Sequence, residues 1–169
     1  TWCAIRWWRA SSMPTKSTRK KNSVARKPRR NRIHRASVQY AVPRRGLPSA
    51  GALRKWAALV PIDATLRIVG AAEGRRLNQH YRKKPYPTNV LSFPYGKDRG
   101  DVVLCHPVIA REARAQGKLL AAHYAHLVLH GLLHLRGYEH EKKREAERME
   151  RLEIRLLARA GFGNPYTVE

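Results

Sequence analysis

The chain has 169 residues, about the size of one domain. Its net charge of +23 is uneven: the first acidic residue is Asp63, and the 60 residues at the start hold 16 of the 35 lysines and arginines. Such an excess points to a polyanionic partner rather than to a fold. Two cysteines, Cys3 and Cys105, exclude a disulfide framework and a CxxC metal knuckle, and they fit a reduced, cytoplasmic setting with no disulfide-linked partner.

Residues 1–36 show no sustained periodicity and read as a disordered basic arm. The arm lacks the apolar stretch of a secretory signal. Its Arg-rich, acid-free composition suits a targeting segment for an organelle, or an upstream extension before a start at Met13. One domain is expected over residues 37–169.

Ser37–Val42 alternates as a strand. Ser49 is a fair N-cap for a short helix to about Val60, with Leu53, Trp56, Ala57 and Val60 on one face. Thr65–Val69 is a second strand, and a helix follows from about Ala71 to Tyr81. Pro85 and Pro87 break the chain. Thr88–Phe93 is the third strand, and Asp101–Cys105 the fourth, close enough to pair as a hairpin. Pro107 suits the first turn of a helix to about Gln116, closed by Gly117.

Lys118–Arg136 is apolar nearly all round, which belongs in a core or a membrane. It carries four histidines and has no second spanning segment beside it, so the core is expected and no membrane partner. Glu141–Ala160 is a charged amphipathic helix ending at Gly161, with Met149, Leu152, Leu156 and Ala160 as its inner stripe. The fold class predicted is α+β: a small mixed sheet of about four strands with about five helices and the His-rich helix at the centre.

Five of the eight histidines lie between His123 and His140. His126, His130 and His134 recur every four residues on one helical face. His126 and His134 are roughly 12 Å apart along the axis, too far for a single ion with bonds of about 2 Å. Gly137 permits a turn after His134, so that His140 can fold back as a third ligand beside His130 and His134. Three imidazoles leave a fourth tetrahedral position vacant, as a catalytic zinc site requires. His126 then supports the ligands from behind. The stretch HGLLHLRGYEH is HxxxHxxGxxH, the spacing of metzincin peptidases, but Gly131 stands where those carry their general-base glutamate.

HGLLHLRGYEH, with YRKKPYPTNVLSFP (Tyr81–Pro94) and GDVVLC (Gly100–Cys105), resembles the bacterial YbeY-type zinc-dependent endoribonucleases. The likeness continues through EARAQGK, AHYAH and the closing GFGNPY, covering about residues 37–167. It implies a single-strand-specific, metal-dependent endoribonuclease acting in maturation of the 16S rRNA 3′ end and in ribosome quality control. It implies one zinc ion per chain on His130, His134 and His140, activating the nucleophile or the phosphate. Arg82 would stabilise phosphate charge, with Lys83 and Lys84 beside it on the RNA backbone. Ribosomal RNA, the small ribosomal subunit, and a ribosomal protein or assembly GTPase are the partners implied. The alternatives are a non-catalytic, zinc-stabilised ribosome-assembly factor and a zinc peptidase. The chain departs from the family's frequent Gly-Lys-Asp after the arginine, having Lys83, Lys84 and Pro85. The loop Tyr95–Arg99 is shorter than usual, and Gly70 replaces a frequent aspartate.

Overall fold

A computed structural model describes residues 34–96, 98–139 and 142–167. In chain order the elements are β1 (Ala36–Tyr40), α1 (Ala50–Ala57), β2 (Asp63–Val69), α2 (Ala71–Arg82), β3 (Val90–Pro94), β4 (Arg99–Cys105), α3 (His106–Ala115), α4 (Leu120–Leu135) and α5 (Lys143–Ala160). The four strands form one mixed sheet in the order β1-β2-β4-β3. β1 and β4 run parallel to β2, while β3 and β4 form the antiparallel hairpin expected from their proximity. The α+β class, the strand count and the helix count match the sequence. His34–Glu169 gathers into one compact unit. The arm expected to be disordered lies outside the described residues up to residue 33, as do His140 and Glu141.

The strands differ from expectation mainly at their ends. β2 and β4 each begin two residues early, because Asp63–Arg99 and Ala64–Gly100 extend the parallel register. Ser49 caps α1 as expected, its side chain accepting the Ala52 N–H at 3.2 Å. Gly161 closes α5 at φ 88°, a left-handed conformation natural to glycine.

The sheet divides two cores. Leu66, Ile68, Val90, Val102 and Leu104 face a large cluster containing α1, α4 and α5 residues. Val69, Leu91, Val103 and Cys105 face a smaller one with Val108, under Leu77 of α2. This alternation is the two-residue period of a strand covered on both sides. α4 packs against α1, α3, α5, β3 and β4. Its lack of a polar face is thereby explained by burial, and among the described residues no helix is long and apolar enough to cross a membrane.

Gly131 marks a close approach of α4 to the sheet. Its carbonyl accepts the Ser92 hydroxyl at 3.1 Å, and a Cβ built there would lie 2.7 Å from Val102 Cγ1. Alanine elsewhere in a helix gains about 1 kcal/mol over glycine. Overpacking against a stiff valine costs about 1–3 kcal/mol, so the sign reverses. Gly131→Ala is therefore expected to destabilise by up to about 2 kcal/mol in denaturant titration. Combining it with Val102→Ala should cost less than the two single changes added together.

Candidate metal centre

α4 presents His126, His130 and His134 on successive turns, the first two buried and the third half-buried. His130 Nε2 and His134 Nε2 face each other at 3.0 Å. Two imidazoles sharing one tetrahedral zinc, with bonds of about 2.0–2.1 Å, would hold their nitrogens about 3.3 Å apart. The observed separation thus fits a shared cation with a small adjustment. On the opposite side of the same ring, His130 Nδ1 meets Glu153 Oε1 at 2.7 Å. A carboxylate there holds the proton on Nδ1 and turns the Nε2 lone pair outward, the usual support of a metal-binding histidine.

Glu153 comes from α5 and is 1% exposed. Its other oxygen, Oε2, lies 3.4 Å from His126 Nε2 and accepts the Tyr166 hydroxyl. Burial alone would raise the Glu153 pKa, but the bonds to His126 and His130 outweigh it and hold the carboxyl well below the usual range. Burial lowers the pKa of His126, against the opposing pull of Glu153. The buried pocket therefore favours a neutral His126 beside an ionised Glu153.

His126, His130 and Glu153 also form a group whose ligand atoms lie within 4.8 Å of one another, and this group could hold one metal ion. A cation there would use the Nδ1 side of His130, whereas the pair with His134 uses the Nε2 side. The first location is enclosed by buried residues. The second is shared with the half-buried His134.

The other expected site residues within the described part of the chain, Arg82, Lys83 and Lys84, lie at the end of α2. Arg82 ends α2, on the sheet face opposite α4, and no hydrogen bond or ion pair joins it to the histidines among the described residues. It is half-buried, and burial lowers its pKa, countered by the nearby Tyr86. Lys83 is exposed and Lys84 half-buried. Asn78, buried on α2, donates to the Tyr86 carbonyl at 2.6 Å and so pins the loop that follows Arg82. Asn89 and His123 both reach Glu112 Oε2, each at 3.0 Å, tying the entry to β3 onto α3 and α4.

Glu153 and Tyr166 were not anticipated as site residues. The signal for Glu153 was present: 149, 153, 156 and 157 make one inward stripe of α5, and an acid within it must have a buried partner. No sequence pattern reveals the Tyr166 contact.

A family model described as Endoribonuclease YbeY matches residues 50–161. The chain belongs to this family. The Endoribonuclease YbeY of Stenotrophomonas maltophilia (strain R551-3) is 49% identical over 150 residues, covering 79% of this chain and 93% of that protein. That of Aromatoleum aromaticum is 56% identical over 125 residues, covering 70% and 81%. A solution structure of the Thermotoga maritima protein TM1509 matches with a TM-score of 0.52, over 79% of this chain and 99% of that one. At 22% identity this last likeness is one of fold.

Lys83 closes α2 at φ 58°, the left-handed region that a residue bearing a Cβ enters at a cost. The left-handed penalty of about 1–2 kcal/mol exceeds the entropic cost of glycine, about 0.5–1 kcal/mol. Lys83→Gly should therefore raise stability by about 0.5–1 kcal/mol in urea titration.

Glu112 gives a pH dependence. Burial would raise its pKa, yet the bonds from His123 and Asn89 bring it below the ordinary value. A depressed folded pKa adds stability above the unfolded value of about 4.3, which is lost as pH falls through the folded one. Glu112→Gln should destabilise the protein at pH 7, and the difference from the parent should shrink as pH falls below the unfolded value of about 4.3 and through the lower folded one.

Proposed function

We propose that this YbeY-family protein is a metal-dependent endoribonuclease that cuts single-stranded RNA in maturation of the 16S rRNA 3′ end and in ribosome quality control. The small ribosomal subunit would be its partner in the cytoplasm. In this reading His130, His134 and His140 hold one zinc ion. The observation that carries it is the facing Nε2 pair of His130 and His134, with His130 anchored from behind by Glu153. His140 lies outside the described residues and enters through its place in the HxxxHxxGxxH spacing.

When bound, zinc supplies Lewis acidity toward a phosphodiester oxygen and toward water. The protein's own part is to keep the ligands oriented and to bind the anion. Glu153 keeps His130 in the Nδ1–H form, so Nε2 is offered without rearrangement. Arg82 is always protonated and planar, and it can grip two phosphate oxygens. It has no carboxylate partner among the described residues and is partly withdrawn from water, which favours an incoming phosphate. Lys83 and Lys84 add charge along the RNA backbone without reading bases.

The close contact at Gly131 weighs against a peptidase. A glutamate side chain there would run into Val102, so the general base of the metzincin arrangement has no room.

The test uses metal-quantified full-length protein with ribosomal RNA, with and without chelator. Chelator should abolish cleavage, and Arg82→Ala should lower it by about 10²–10³-fold while metal stoichiometry stays at the parent value. Cleavage indifferent to chelator would overturn the reading. Tight RNA binding without metal-dependent turnover would replace it with an assembly factor.

A further inference from the structure

The segment after α5 is built to deliver one hydroxyl. Gly161 turns the chain out of the helix at φ 88°, and the Phe162 N–H returns to the Leu157 carbonyl at 2.9 Å. Phe162 then packs edge-on to Trp56, with ring centroids 5.7 Å apart. Asn164 accepts the Tyr166 N–H at 3.0 Å, closing a local turn. The Pro165 carbonyl accepts Lys118 Nζ at 2.6 Å. Lys118 itself follows Gly117, whose φ of 63° reverses the chain after α3. Tyr166, at the end of this strap, donates its hydroxyl to Glu153 Oε2 and stacks edge-on to His126 at 5.5 Å.

From this we infer that Tyr166 is a positioning residue of the metal centre, holding Glu153 so that its other oxygen orients His130. The inference rests on the reading of His130 as a metal-holding residue. A carboxylate has two oxygens and rotates about one bond. With Oε2 fixed by the Tyr166 hydroxyl, Oε1 stays aimed at His130 Nδ1. Without that hydroxyl the group can turn toward His126, 3.4 Å from Oε2, and His130 loses its tautomeric anchor. The phenol is fit for donation, since burial first and the Glu153 charge second push its pKa above the ordinary value. Lys118 acts one step further back, by keeping Pro165 and therefore Tyr166 in place.

The experiment compares the full-length parent with Tyr166→Phe, which removes one oxygen and leaves the ring. The readouts are zinc affinity by chelator competition, the absorption spectrum of the cobalt-loaded protein, and thermal stability. Tyr166→Phe should bind zinc about 10–100-fold more weakly and change the cobalt spectrum, while melting within a few degrees of the parent. Lys118→Met, whose side chain lies outside the cluster, should shift both readouts in the same direction by less, and it carries the test if Tyr166→Phe does not fold. Parent-like zinc affinity and cobalt spectra in both variants would overturn the role of Tyr166 while leaving the metal site intact. A parent that takes up no metal would overturn the functional reading and this inference together.

Discussion

One buried carboxylate governs the arrangement of this protein's helices. Glu153 is withdrawn from water inside an otherwise apolar interface, and an ionised acid in such a place is tolerated only when fully bonded. Its partners, His126 and His130, sit four residues apart on α4. A register shift between α4 and α5 would leave the anion without them. Polar bonding therefore fixes what apolar contact alone would leave adjustable, and it does so at two histidines of the candidate metal centre.

The sheet distributes the working parts on two sides. α4 and its histidines cover one face, while α2, ending in Arg82, covers the other. The segment between Arg82 and β4 links the two. Asn89 reaches Glu112, which also binds His123 of α4, and Ser92 donates to the Gly131 carbonyl. YRKKPYPTNVLSFP thus owes its residue types to several demands at once: a half-buried cation, a pinned turn, and polar anchors onto the His-rich helix α4.

Most of this was legible in the sequence where local physics decides. The alternation of β1, the Ser49 cap, the Pro107 start and the Gly161 stop each rest on backbone preferences that tertiary structure did not override. The His-rich helix was correctly assigned to a core because its apolar residues leave no polar face. Gly131 was noticed only for the glutamate it replaces; the reason for glycine, contact with Val102, needs the fold. Glu153 was passed over because an acid in a charged helix reads as solvated, although its position in the inward stripe gave it away. The relation of Arg82 to the histidines depends on the sheet topology, which no local pattern encodes.

His130 offers two nitrogens, and in the proposed site a cation takes the outward one. Diffraction from crystals of the zinc-loaded protein, collected at the zinc absorption edge, locates the ion without ambiguity. The account predicts a single anomalous peak about 2.0–2.1 Å from both His130 Nε2 and His134 Nε2, with Glu153 still bonded to Nδ1. A peak among His126, His130 Nδ1 and Glu153 would contradict it, leaving the metal enclosed and structural.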